Sequence, residues 1–243
     1  MTDRRPTPPP AGGEAGEATR GSAIKLGSEL AARLLGLLTT PLLTRGLGVD
    51  AFGVFGRLSV TAVIAAEAAE LGLQATASRA LVAHELSLRA MTLAKLAITA
   101  LAVLACLLGL PWAPVFVPLV LFFVLAGWSE FLGVALRARG YRARESALIL
   151  TLRLSGFVLV AAALALRGGL ATVSWAFVAS TVPSILLGMR LLAGTGRGLP
   201  APPDPGLGAI LRASAPLAIN GGLALLSLRV EMLTVSYCAW SSS

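Results

Sequence analysis

Long runs of apolar residues, separated by short polar segments, dominate the pattern along this chain of 243 residues. Most runs reach the roughly 20 residues that an α-helix needs to cross the hydrocarbon core of a bilayer. Since helices satisfy their own backbone hydrogen bonds in lipid, the pattern predicts an all-α, polytopic transmembrane helical bundle. The predicted spans cover residues 22–45, 52–73, 91–110, 115–136, 146–166, 170–192 and 213–240.

The polar segments divide the chain into four parts. Residues 1–21 are rich in proline, glycine and charge and predict a disordered tail, without the apolar core of a signal peptide. Residues 22–193 hold six spans and predict a six-helix lobe, and the glycine- and proline-rich stretch 194–206 is typical of a flexible linker. Residues 207–243 contain the seventh span, and their ending without further apolar sequence predicts a truncated or frameshifted product.

Composition excludes a water-soluble globule. Hydrophobic residues make up 56% of the chain and charged residues 13%, whereas soluble domains carry about 25% charged residues. The two cysteines, Cys106 and Cys238, lie in separate apolar runs and have no spacing that indicates a metal site or a disulfide framework. Sequence motifs of metalloproteases, serine hydrolases and P-loop enzymes are missing, so we expect no enzymatic activity, no cofactor and no metal site.

The net charge of +8 indicates topology rather than nucleic-acid binding. Basic residues are spread over separate loops without interleaved aromatic residues, and cytoplasmic loops of membrane proteins retain positive charge. The larger set comprises Arg4, Arg5, Arg20, Lys25, Arg79, Arg89, Lys95, Arg137, Arg139, Arg142, Arg144, Arg190, Arg197 and Arg212. The opposite loops carry Arg45 and Arg167. This asymmetry predicts a cytoplasmic amino terminus and no nucleic-acid partner.

Ionisable residues inside the predicted spans are the candidate functional residues. Arg33 and Arg229 lie near the middle of the first and seventh spans, and Arg153 lies at intermediate depth in the fifth. Glu29 precedes Arg33 by one helical turn, and Glu130 lies at intermediate depth in the fourth span. A lone charge at the bilayer centre costs at least about 2.5 to 3.5 kcal/mol, so these groups must face a hydrated cavity or one another. Arginine binds phosphate oxygens in a bidentate geometry, which favours a phosphate-bearing substrate.

A structural interpretation of the same charges stays open. Arg33 can pair with Glu29 or Glu130, and Arg153 can pair with Glu130, as ion pairs that hold the bundle together. Glu67, Glu70 and Arg57 lie nearer to the ends of their spans, where long side chains reach the interface, and a structural role is favoured for them.

Short motifs then suggest a family. The stretches 32–36 (ARLLG), 43–55 (LTRGLGVDAFGVF) and 70–79 (ELGLQATASR) are followed later by 214–218 (SAPLA) and 228–231 (LRVE). In this order they resemble the amino-terminal half of polysaccharide-biosynthesis flippases, which include the O-antigen flippases. These belong to the multidrug/oligosaccharidyl-lipid/polysaccharide exporter superfamily.

The resemblance implies one six-helix lobe of a two-lobed exporter fold, plus a seventh helix, around a cavity that opens alternately to each side. It implies that the substrate is an undecaprenyl-diphosphate-linked oligosaccharide, moved across the bacterial inner membrane for surface polysaccharide biosynthesis. Arg33, Arg153 and Arg229 would then lie near the diphosphate. By their depth alone, Glu29 and Glu130 are candidates for coupling to a proton or sodium ion. The partners would be the bilayer, the lipid-linked oligosaccharide and a second chain that completes the transporter.

Three alternatives remain. A multidrug or cation exporter of the same superfamily is disfavoured by the arginines at intermediate depth, because a cationic cargo prefers an acidic cavity. A truncated, non-transporting membrane subunit is favoured by the abrupt end of the sequence. An integral-membrane glycosyltransferase or polymerase would need acidic groups on a sizeable outer loop, and the predicted outer loops are a few residues long.

Overall fold

In the part of the chain that its computed structural model describes, the protein consists of α-helices joined by short turns. That part comprises residues 13–70, 72–83, 86–194, 206, 208–210, 212–217, 219, 220 and 223. The helices are α1 (Gly13–Leu47), α2 (Val49–Glu70), α3 (Leu73–Val82), α4 (Leu88–Gly109), α5 (Phe116–Ala138), α6 (Arg142–Ala165) and α7 (Leu170–Ala193). No strand occurs among the described residues.

Five of these helices, α2, α4, α5, α6 and α7, are long and apolar enough to cross a membrane. Helix α1 also has the length, but Arg33 and Arg45 lie within its apolar portion and lower its hydropathy. The predicted fold class is therefore confirmed: the chain forms an all-α bundle of transmembrane helices.

Glycine residues with positive φ angles form three of the turns between consecutive helices. Gly48 between α1 and α2, Gly72 between α2 and α3, and Gly140 between α5 and α6 have φ angles of 83°, 68° and 84°. This left-handed region favours glycine, which has no Cβ atom to clash with the backbone. Helix α4 begins differently, because the Ser87 side chain accepts a hydrogen bond of 3.0 Å from the backbone N–H of Ala90.

Helix α5 is the central element of the bundle. It packs against α2, α3, α4, α6 and α7, while α1 packs chiefly against α6. Phe131, Leu132 and Leu136 of α5 are at most 3% exposed. Gly188 of α7 allows close contact with Leu132 of α5 and Leu148 of α6, which is how small residues promote helix packing in membranes. The interior of the bundle is therefore arranged around α5.

The first six predicted spans correspond one to one with α1, α2, α4, α5, α6 and α7. Helix α1 begins at Gly13, so it extends into the predicted tail, where glutamate and alanine residues favour helix formation. The sequence pattern did not predict α3, a helix of only 10 residues. Residues 1–12, most of the predicted linker, and residues 224–243, which include most of the predicted seventh span (213–240), lie outside the described residues.

Candidate functional site

A polar cavity of about 310 Å³ lies between α3, α5 and α6. It lies toward the end of the bundle that carries the α5–α6 turn, here called the arginine-rich end because Arg139, Arg142 and Arg144 are located there. The Oε1 atom of Gln74 is buried and has no hydrogen-bond partner in the described part of the chain. The cavity is lined by Gln74, Ser78, Ser129, Glu130, Gly133, Val134, Arg137, Glu145, Leu148, Ile149, Leu152 and Arg153.

A second cavity, of about 250 Å³, lies between α1, α2, α5, α6 and α7. We call it the phenylalanine cavity because Phe55, Phe122, Phe123, Phe157 and Phe177 line it. The ring centroids of Phe55 and Phe177 are 5.7 Å apart, and those of Phe122 and Phe177 are 5.2 Å apart. These separations are typical of favourable aromatic pairs, so the rings form a packed apolar wall.

Arg153 lines both cavities and lies near the midpoint of α6. Its side chain is exposed and interacts electrostatically with Glu130, which lines the polar cavity. Within the described residues, no ion pair joins Glu130 to Arg153 or to Arg33. The pairings considered for Glu130 are thus not formed as direct ion pairs, although Arg153 lies within electrostatic range of its carboxylate. A guanidinium at this depth needs water or an anion to compensate its charge.

A buried ion pair joins α2 to α4. The Nζ atom of Lys95 lies 2.5 Å from Oε1 of Glu70, and the side chains are 1% and 9% exposed. Gly127, at the midpoint of α5, faces the pair. A Cβ atom at position 127 would overlap the Glu70 carboxylate and would lie 3.1 Å from Lys95 Nζ. The ion pair therefore requires glycine, which has no side chain, at position 127.

Two further carboxylates surround this ion pair. Glu67 interacts electrostatically with Glu70, Glu130 and Lys95. Glu130 interacts with Glu70 and Lys95 as well as with Arg153. Three carboxylates thus lie within electrostatic range of one ammonium group, and Glu130 links this cluster to the polar cavity.

At the arginine-rich end, arginine side chains connect the ends of α5, α6 and α7. Nε of Arg137 donates to both carboxylate oxygens of the buried Glu145, at 3.0 and 2.9 Å, and its Nη2 also contacts Oε1. This bidentate pair joins the end of α5 to the start of α6. Arg139 and Arg144 donate to backbone carbonyls in the last turn of α7, each at 3.4 Å. Cations at this position also compensate the negative end of the helix dipole.

The candidate site residues that were predicted from the sequence do not all lie together in the structure. Arg153 and Glu130 line the same polar cavity, as expected for a hydrated chamber. Arg33 is exposed on α1 and lines neither cavity, and Glu29 is half-buried on the same helix, within electrostatic range of Arg137. Arg229 lies outside the described residues.

The structure corrects one interpretation of a charged residue and supports another. Lys95 was assigned to a cytoplasmic loop, yet it lies within α4 and is almost fully buried. The structural role favoured for Glu70 is confirmed by its ion pair with Lys95. Its carboxylate lies beside the midpoint of α5, because the chain turns at Gly72 and continues toward the arginine-rich end as α3. The sequence did carry a signal, since Met91, Lys95 and Thr99 follow helical spacing and place Lys95 on an otherwise packed face.

The fold and cavities together define a multi-pass α-helical membrane protein with charged groups inside its bundle. No known family model, curated protein or solved structure matches this chain.

Proposed function

We propose that this chain is part of a flippase that moves an undecaprenyl-diphosphate-linked oligosaccharide across the bacterial inner membrane. The position of Arg153 carries the proposal. Arg153 lies near the midpoint of α6 and lines both a polar cavity and an apolar one. Charges at this depth mark substrate pathways, and arginine is well suited to bind a diphosphate. The proposed substrate joins a polar saccharide, a diphosphate and an apolar chain. It therefore requires a polar cavity, a cationic group and an apolar cavity, in this order.

The transport cycle requires no covalent chemistry. The helices α1 to α7 would form one lobe, with the amino terminus in the cytoplasm, and a second chain or a longer form of this chain would supply the other lobe. Movement of the lobes exposes the headgroup site to each side in turn, while most of the prenyl tail remains in lipid. Arg33 and Arg229 would add positive charge along the path, and Glu29 and Glu130 would carry the coupling ion.

Replacement of Arg153 in the native bacterium tests this function. Arg153→Ala is expected to lower surface polysaccharide at least about tenfold, because the diphosphate loses a charge-assisted bidentate partner. Arg153→Lys should retain part of the activity, since lysine supplies the charge but not the bidentate geometry. Surface glycan is measured by immunoblotting, and the amount of the variant in the membrane is measured in parallel.

Arg142→Ala is the matched control for this experiment. Arg142 is an exposed arginine at the start of the same helix and lines neither cavity. The control should export glycan at the wild-type level. Normal surface glycan in cells that hold Arg153→Ala at wild-type abundance would contradict the proposal.

A cation exporter is the second candidate, and one observation favours it. Glu130 presents a carboxylate in one cavity while phenylalanine rings line the adjoining one, and both groups attract cations. Efflux of ethidium that is lost in Glu130→Gln but retained in Arg153→Ala would support this function over the flippase. A non-transporting subunit would show neither efflux nor an effect of Arg153→Ala on glycan export.

A further inference from the structure

The phenylalanine cavity offers few free polar groups. The hydroxyls of Thr39, Thr40 and Ser180 each donate to a backbone carbonyl of their own helix, at 2.7, 3.4 and 2.6 Å. These three hydroxyls therefore have no further proton to donate to a ligand, which is common for serine and threonine residues in membrane helices. An occupant therefore meets mainly ring and aliphatic surfaces.

Two polar groups remain available at this cavity. Arg153 lies at its boundary with the polar cavity, and Oγ of Ser59 is buried without a hydrogen-bond partner in the described part of the chain. Buried polar atoms normally have a partner, so an unpaired hydroxyl in a cavity wall indicates a ligand or a water molecule. The cavity thus combines a cationic end with an apolar body.

The apolar lining on α6 begins about one helical turn after Arg153. Gly156 and Phe157 follow Arg153 by about one helical turn, a rise of about 5.4 Å, and both line the phenylalanine cavity. This spacing favours a ligand that carries its apolar chain directly on its anionic group. A polyprenyl diphosphate has this connectivity, whereas a glycerophospholipid places a polar glycerol ester between the phosphate and its two acyl chains.

Building on the proposed function, we propose that the phenylalanine cavity binds the isoprene units nearest to the diphosphate of the lipid carrier. Arg153 then holds the phosphate, and the first sugar enters the polar cavity beside Gln74 and Glu130. An apolar cavity of about 150 Å³ binds benzene, which has six carbon atoms, so a cavity of about 250 Å³ has room for about ten carbon atoms. This volume corresponds to one or two five-carbon isoprene units, so the remainder of the chain extends into lipid.

A series of ligands with increasing chain length tests the assignment. Binding of inorganic diphosphate, isopentenyl, geranyl and farnesyl diphosphates, which carry zero to three isoprene units, is measured by titration calorimetry with the full chain in detergent. Affinity should rise about tenfold or more from inorganic diphosphate to the geranyl compound, because apolar surface is buried. It should rise less than about threefold from geranyl to farnesyl, because the cavity is full. A steady rise through farnesyl would indicate partitioning into the micelle and would overturn the assignment.

Two variants locate the effect of chain length. Phe177→Ala enlarges the cavity and removes ring contacts. Gly36→Leu adds a bulky side chain to the cavity wall, at a position where a Cβ meets no atom within 4 Å. In each variant, most of the increase in affinity with chain length should be lost, and the affinity for inorganic diphosphate should stay unchanged. Phe116→Ala, at a half-buried phenylalanine outside the cavity, is the control and should behave as wild type. Gly36→Leu provides the test if Phe177→Ala fails to fold.

The outcomes separate this inference from the proposed function. If inorganic diphosphate binds in an Arg153-dependent manner but chain length has no effect, or has the same effect in Gly36→Leu, the cavity assignment fails and the flippase function stands. If no diphosphate binds in an Arg153-dependent manner, both fail. Displacement of geranyl diphosphate by phosphatidylglycerol at equal concentration would identify the cavity as a general lipid site and overturn the assignment.

Discussion

Lys95 and Glu70 form an ion pair of 2.5 Å in the interior of the bundle, where Gly127 of α5 makes room for both side chains. The pair connects α2 to α4 beside the midpoint of the central helix. Two charges that are nearly excluded from solvent compensate each other there, and removing either partner leaves the other uncompensated. This relationship explains how the bundle accommodates a lysine within an apolar helix.

Lys95→Met is expected to destabilise the protein strongly. The substitution leaves the Glu70 carboxylate buried without its partner, and breaking a buried pair in this way costs about 3 to 5 kcal/mol. The double variant Lys95→Met, Glu70→Met should recover most of this loss, because both charges are removed. Unfolding by denaturing detergent measures the free energies. Arg89→Met, at an exposed position of the same helix, is the control and should change stability little. Equal stability of Lys95→Met and Arg89→Met would contradict the structural role of the pair.

Gly127→Ala should also destabilise the bundle, although alanine is the better helix former. The new methyl group would overlap the Glu70 carboxylate, so the ion pair or α5 must move. Gly53→Ala in α2 is the matched control, since a Cβ there meets no atom within 4 Å, and the change should be neutral or stabilise by up to about 1 kcal/mol. Thermal unfolding in detergent compares the two. A higher unfolding temperature for Gly127→Ala than for the wild type would show that the pair does not occupy this space.

The arginine-rich end is expected to face the cytoplasm, because cytoplasmic loops retain positive charge. Single cysteines introduced as Arg142→Cys and Arg167→Cys, in a background with Cys106→Ser and Cys238→Ser, report on the two ends. A membrane-impermeant maleimide should label the Arg167→Cys variant in intact cells and the Arg142→Cys variant only after permeabilisation. The reverse pattern of labelling would invert the proposed orientation.

Arg33→Ala is expected to reduce glycan export while leaving membrane insertion intact. Arg33 lies one turn before Gly36 and two turns before Thr40, and both of these residues line the phenylalanine cavity from α1. A positive charge on this face would guide an anionic headgroup toward Arg153. Arg45→Ala, at an exposed arginine near the other end of α1, serves as the comparison and should export normally. Export by Arg33→Ala at the level of this comparison variant would remove Arg33 from the substrate path.

The sequence predicted the six long helices well because the length of each apolar run directly reflects the thickness of the membrane. It also predicted that Arg153 and Glu130 are functional candidates, since charges inside apolar runs are conspicuous. It did not reveal α3, because a helix of 10 residues with mixed polarity has no spanning pattern. The ion pair of Lys95 escaped prediction for a different reason: its partner Glu70 is 25 residues away in the sequence.

The sequence by itself determined that this chain is a bundle of membrane helices with ionisable side chains inside it. Backbone hydrogen bonding in lipid permits little else for such long apolar runs. Only the tertiary structure decided which of these side chains meet. Helix packing brings Glu70 into contact with Lys95 and Arg137 into contact with Glu145. It also places Arg153 in the lining of two cavities. These pairings depend on how α2, α4, α5 and α6 pack around Gly127 and the other small residues, which a one-dimensional pattern of polarity does not encode.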